Sequence, residues 1–124
     1  MSSAENRFIL IVEDNNDTRN LISDVLKIHG FSVDAAVNGE QAVNMVTNKH
    51  YDVIFMDLML PVMDGIEASR IILGNNPSQK IIVISACLSR DNVKILKSLG
   101  IKNIIPKPFK ISEILKAISD NNFN

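Results

Sequence analysis

Asp52-Val53-Ile54-Phe55-Met56-Asp57 opens on a carboxylate, crosses four apolar residues without a polar break and closes on a second carboxylate. An apolar run with no alternation is the pattern of a strand in a parallel sheet, covered on both faces. The stretch after it, Leu58 to Gly65, holds Pro61 and the pair Asp64-Gly65 and reads as loop. The same pattern recurs outward from this third strand. Phe8-Ile9-Leu10-Ile11-Val12 is a first strand running into Glu13-Asp14, and Phe31 to Val37 is a second, closed by the turn pair Asn38-Gly39. Ile81-Ile82-Val83-Ile84 is a fourth, followed by Ser85, and Asn103-Ile104-Ile105 is a short fifth before Pro106-Lys107.

Helical spacing fills the intervals. Leu21, Ile22, Val25 and Leu26 define a first helix, with Asn15 or Asn16 as its N-cap and Gly30 as its stop. Ala42, Val43 and Val46 mark a second, and Ile66 to Leu73 a third that ends near Gly74-Asn75-Asn76-Pro77. Val93, Leu96 and Leu99 lie on a fourth, stopped by Gly100, and Ser112 caps a fifth carrying Ile114, Leu115 and Ile118. Right-handed crossovers between successive parallel strands put helices on both faces of the sheet. The expected class is α/β, a five-stranded parallel sheet of order 2-1-3-4-5.

The chain has 124 residues, the size of one domain, with its core expected between about 7 and 120. An apolar fraction of 46% with 22% charged residues excludes whole-chain disorder. A net charge of −1 argues against direct nucleic-acid binding. The longest apolar runs are about five residues, against the roughly 20 of a spanning helix, so no membrane partner is expected. The leader Met1 to Arg7 lacks the basic-then-apolar layout of a secretory signal, and a cytoplasmic protein is expected. Cys87 stands alone, which excludes an internal disulfide and a multi-cysteine zinc site. The near-neutral total hides a division, a balance of −6 over residues 1–65 and +5 over 66–124.

Ligands of open parallel sheets bind beyond the carboxyl ends of the strands, where the strand order reverses, here between strands one and three. Glu13-Asp14, Asp57, Ser85 and Lys107 therefore converge on one rim from four strand ends. Any one of them alone reads as a turn or capping residue; their complementarity carries the inference. Three adjacent carboxylates raise one another's pKa unless a cation intervenes, and oxygen donors with no His or Cys support favour Mg²⁺ or Mn²⁺. Asp57 could then attack an electrophilic phosphorus, with Lys107 and Ser85 holding phosphoryl oxygens.

Ile11-Val12-Glu13-Asp14-Asn15, Met56-Asp57-Leu58-Met59-Leu60-Pro61-Val62-Met63-Asp64-Gly65, Ser85-Ala86 and Lys107-Pro108-Phe109 together resemble the receiver domain of two-component response regulators, from about Arg7 to Asp120. The resemblance implies a flavodoxin-like receiver fold working alone, like a chemotaxis regulator, as a phosphorelay component. It makes Asp57 the phosphoacceptor and a histidine kinase or histidine phosphotransfer protein the donor. It places Mg²⁺ on Asp14, Asp57 and the Met59 carbonyl, with Glu13 acting through water. Ser85 and Lys107 would contact the phosphoryl group, and the Lys107-Pro108 bond would be cis. Gly65 is expected to supply a positive φ beyond Asp57. The basic excess at Arg90, Lys94, Lys97, Lys102, Lys110 and Lys116 would give a target-docking face on helix four, strand five and helix five.

The chain departs from the family pattern where Glu13 replaces the more frequent Asp, Ser85 the common Thr, and Ile104 an aromatic residue associated with switching. Met59 and Cys87 fall beside the expected path of the hydrolytic water without a strong hydrogen-bonding group, so self-dephosphorylation is expected to be slow. Two other classes are weaker. A haloacid-dehalogenase-type phosphatase needs an acid two residues after its nucleophile, where Met59 stands. A flavin or nucleotide binder needs a Gly- or Ser-rich loop after strand one, where Glu13-Asp14-Asn15-Asn16-Asp17 is acidic.

Overall fold

The alternation of buried runs and amphipathic segments resolves into ten elements in strict β-then-α order. In the computed structural model, which describes residues 7–120, these are β1 (Phe8–Val12), α1 (Asn16–Ile28), β2 (Ser32–Ala36), α2 (Gly39–Asn48), β3 (Val53–Met56), α3 (Gly65–Asn75), β4 (Ile81–Ser85), α4 (Arg90–Ser98), β5 (Asn103–Pro106) and α5 (Ile111–Asp120). The leader, Met1 to Asn6, lies outside the described residues. All strand pairs are parallel and the order is β2-β1-β3-β4-β5, as the crossover argument requires. The register Val12↔Met56 sets the ends of β1 and β3 level, so the residues that follow them emerge side by side.

Successive side chains on a strand point to opposite faces, so each apolar run feeds two cores. Leu10, Val12, Ile54, Met56 and Val83 pack with Ala42, Ala68, Ile72 and Leu96 of α2, α3 and α4. Ile9, Ile11, Phe55, Ile82 and Ile84 pack with Ile22, Leu26, Ile114 and Ile118 of α1 and α5. Every residue of β3 is buried, which explains its unbroken apolar sequence. Leu21, by contrast, is 48% exposed although it shares the helical repeat of α1.

Asn15, not Asn16, is the N-cap of α1, its side chain accepting from the Thr18 N–H at 2.9 Å. Gly30 and Gly100 stop α1 and α4 at φ of 92° and 90°, a region open to glycine. The third helix ends where expected, α3 running to Asn75 with Asn76 as its C-cap. Two local expectations are corrected. Asn38-Gly39 is a helix start rather than a closing turn: Asn38 accepts from the Gln41 N–H at 2.8 Å, and Gly39 is the first residue of α2. Ser112 is not a cap, because α5 begins at Ile111 and Glu113 reaches back to accept from the Lys110 N–H at 2.8 Å.

A polar cluster ties β2 to the segment before β3. The Tyr51 hydroxyl donates to Asp34 Oδ2 at 2.6 Å and Lys49 Nζ donates to the same oxygen at 2.9 Å. The bond from Tyr51, then that from Lys49, holds the Asp34 carboxyl below its ordinary range, while burial and this carboxylate push the Tyr51 phenol up. Tyr51→Phe keeps the packed ring and removes one charge-assisted hydrogen bond to a partly exposed carboxylate, an expected cost of about 1 kcal/mol after solvent screening. A depressed carboxyl stabilises above its unfolded pKa and loses that contribution as pH falls through its folded pKa. Urea titrations of both chains should therefore differ at neutral pH and converge in acid, from about pH 4 downward.

Candidate functional site

The ladder hydrogen bonds continue past the strand ends and place the acidic residues. The Glu13 N–H donates to the Ala36 carbonyl and the Asp57 N–H to the Val12 carbonyl, both at 3.0 Å. Glu13 and Asp57 are 3% and 5% exposed, whereas Asp14 faces solvent. One carboxylate oxygen from each of the three lies within 4.8 Å of the others. They open into a cavity of about 710 Å³ lined also by Asn15, Asn16, Asp17, Met59, Ala86 and Lys107.

Lys107 arrives from the far side of the sheet. Its N–H donates to the Ser85 carbonyl at 3.0 Å, extending the β4–β5 ladder, and the Lys107-Pro108 bond is cis. Its Nζ lies 2.6 Å from Glu13 Oε1 and 2.9 Å from Asp57 Oδ2, bridging residues 94 and 50 positions away. Burial pulls Lys107 down, but the hydrogen bonds to Glu13 and Asp57 outweigh it and hold the ammonium above its usual value. Burial, helped by Asp57, pushes Glu13 up against the pull of Lys107 and of the Asn15 N–H, which donates to Glu13 Oε2 at 3.1 Å. An all-oxygen donor set with one bridging ammonium suits a hard divalent ion, and three carboxylates give it the charge to compete.

Ser85 is fully buried at the end of β4, with its Oγ accepting the Cys87 N–H at 3.1 Å; it borders the site but does not line the cavity. Cys87 does not line it either, and Asn92 Nδ2 donates to its carbonyl at 3.0 Å. Ile104 is half-buried against the core on the α2–α3–α4 side. Gly65 departs from expectation. Positive φ among the glycines of residues 7–120 occurs only at Gly30 and Gly100. Gly65 is instead the first residue of α3, where a Cβ would overlap the Asp57 carbonyl oxygen and sit 2.8 Å from Leu58 Cα. The glycine is required by close approach of two backbones. Arg19 was not singled out from the sequence; its guanidinium donates to the Glu13 carbonyl at 2.9 Å and ties α1 to the site. Its only sequence signal is a place five residues past the acidic pair, at the start of α1.

Residues 9–119 match the family model of the response regulator receiver domain. The chain belongs to that family. The sporulation initiation phosphotransferase F of Bacillus subtilis is 34% identical over 113 residues, 91% of each chain. The chemotaxis protein CheY of Listeria monocytogenes is 35% identical over 111 residues, 89% of this receiver and 93% of that protein. A cyclic di-GMP phosphodiesterase of Thermotoga maritima is 40% identical over 108 residues, and the match spans 28% of its length. Among solved structures, the CheX–CheY–BeF3–Mg complex of Borrelia burgdorferi matches with a TM-score of 0.87 at 29% identity, over 92% of this receiver and 87% of that chain. A CheY-like receiver of Methanospirillum hungatei shares the fold, with a TM-score of 0.89 over 92% of this receiver and 91% of that chain at 24% identity. No described helix of the receiver is long and apolar enough to cross a membrane.

Proposed function

We propose that this receiver accepts a phosphoryl group on Asp57 from a phosphohistidine of a histidine kinase or histidine phosphotransfer protein and signals through a changed surface. The observation that carries the reading is the meeting of Glu13, Asp14, Asp57 and Lys107 within one cavity from three strand ends. An Asp57 oxygen attacks phosphorus in line, the O–P bond forms as the P–N bond breaks, and the bonding pair stays on the ring nitrogen, so that a donor imidazole protonated on its other nitrogen leaves neutral. Lys107, already the countercharge of Asp57, follows the negative charge onto a phosphoryl oxygen. Ser85 donates its hydroxyl proton to another, since its Oγ accepts the Cys87 N–H and keeps the O–H to give. Glu13, Asp14, Asp57 and the Met59 carbonyl would hold Mg²⁺ or Mn²⁺, which when bound neutralises the carboxylates and draws charge from the phosphoryl oxygens. The protein is in this reading a phosphoacceptor that assists its own phosphorylation and dephosphorylation rather than a turnover enzyme.

The loop from Ser85 to α4 is where the new charge acts, since the half-buried Ile104 offers no ring to turn. Arg90, Lys94, Lys97, Lys102, Lys110 and Lys116 are exposed on or beside α4, β5 and α5 and form the face offered to an acidic target. Incubation with acetyl phosphate and Mg²⁺ tests the acceptor reading: intact mass is expected to rise by about 80 Da, the mass of one phosphoryl group, and an unchanged mass would overturn it.

The hydrolytic water meets Met59, which is 62% exposed at the cavity wall and offers no hydrogen bond to orient it. Met59→Asn is expected to shorten the lifetime of the aspartyl phosphate about tenfold, the scale of one positioned hydrogen bond worth about 1.4 kcal/mol in the transition state. The decay of the phosphorylated mass after removal of donor measures it; an equal lifetime would show that Met59 only packs.

A further inference from the structure

Val62 bears two costs, a strained backbone and an apolar side chain held in water. The Met63 N–H donates to the Pro61 carbonyl at 2.7 Å across Val62, whose φ is 69°. A hydrogen bond spanning a single residue of positive φ makes a γ-turn of the rare, strained kind, and a β-branched side chain is the least suited to it. The turn is held from both sides. The Gly39 N–H donates to the Met63 carbonyl at 2.9 Å, and the Gly65 N–H donates to the Leu58 carbonyl at 2.9 Å. Strain persists where the surroundings over-determine it in this way. The second cost is that the Val62 side chain is 75% exposed, so an apolar residue is held in water. Asparagine or glycine would relieve both.

We propose that Val62 is the specificity-determining contact for the protein phosphodonor, an apolar peg on the loop that leaves Asp57 at the carboxyl edge of the sheet; this rests on the phosphoacceptor reading above. Asp57 is only 5% exposed, and the loop that carries Val62 begins at the cavity wall with Met59, so a macromolecule bringing a phosphoryl group to Asp57 closes over that loop. Asp17, which takes no part in the metal site, lines the same cavity. The partner surface that fits has an apolar socket for Val62 and a basic group toward Asp17, flanking its phosphohistidine. The strained turn presents the peg in a fixed place before contact, so little ordering is left for the encounter.

The test compares the wild type, Val62→Asn and Val62→Ile with two donors, acetyl phosphate and the fastest donor found in a panel of autophosphorylated, radiolabelled histidine kinases. Val62→Asn is expected to raise the thermal midpoint by about 2 °C through relief of the backbone. It should take up phosphoryl from acetyl phosphate within twofold of the wild type, and lose at least tenfold in kcat/KM for transfer from the kinase, mainly through KM. Val62→Ile, strained and apolar, should transfer within twofold of the wild type. Equal kinase transfer to Val62→Asn overturns the proposal, as does a panel that labels no wild-type chain that acetyl phosphate does label. A wild-type dimer that Val62→Asn dissolves would overturn it in favour of a second copy. A wild type inert to acetyl phosphate would instead overturn the phosphoacceptor reading itself.

Discussion

Gly65→Ala is expected to destabilise the receiver by about 3 kcal/mol or more, and to lower its thermal midpoint by roughly 10 °C. The added Cβ would overlap the Asp57 carbonyl oxygen and lie 2.8 Å from that carbonyl carbon and from Leu58 Cα. All three neighbours are backbone, so no side chain can swing away. The Gly65 N–H is bonded to the Leu58 carbonyl at 2.9 Å, so α3 cannot retreat without losing its start. Relief must come from the end of β3, and that displaces Asp57. Phosphoryl uptake should fall along with stability. Gly74→Ala, in the same helix with nothing within 4 Å of the new Cβ, should be neutral or stabilise by up to about 1 kcal/mol. Calorimetry of the two variants separates close approach from helix propensity; equal midpoints would refute the packing argument.

Lys107→Ala should cost the metal-free protein about 2–3 kcal/mol, because it removes the ammonium bonded to both Glu13 and Asp57 and leaves two buried carboxylates facing each other. That lies at or below the bottom of the usual range of about 3–5 kcal/mol for a broken buried pair, since the cavity opens to water. Glu13, already raised by burial, would be raised further. A carboxyl whose folded pKa lies above its unfolded value destabilises fully above the folded pKa, and the penalty disappears as pH falls to the unfolded value, about 4.3. The deficit should therefore be largest at neutral pH and shrink toward pH 4. Millimolar Mg²⁺ should restore more stability to Lys107→Ala than to the wild type, because the divalent ion no longer competes with a resident cation. Denaturant titrations with and without Mg²⁺ measure this; a deficit independent of both pH and Mg²⁺ would mean that Lys107 acts through packing alone.

What could be read in advance follows from where the information lies. The strands were legible because burial on both faces leaves no room for polar alternation, as in Val53 to Met56. The convergence of Glu13, Asp14, Asp57 and Lys107 was legible because strand order and parallel direction alone determine which strand ends meet. The errors sit where a residue's reason is tertiary. Gly65 and Gly39 are glycines because another backbone passes within contact, a fact no local pattern encodes, so turn chemistry was assigned to them instead. Leu21 fits the periodicity of α1 yet faces outward, since spacing gives a stripe but not its width. Ser85 was placed correctly at its strand end, but the direction of its hydroxyl toward the Cys87 N–H depends on the loop that follows. The positive φ of Val62 was invisible because valine carries no signal for it.

The claim on which the rest depends is that Asp57, and no other group, receives the phosphoryl. Borohydride reduction of the chain after acetyl phosphate and Mg²⁺ converts an aspartyl phosphate to homoserine, which peptide mass spectrometry locates by residue. The account predicts homoserine at position 57 alone, absent in Asp57→Asn and absent with chelator. Label at Asp14, Glu13 or a histidine, or uptake that persists in Asp57→Asn, would contradict it.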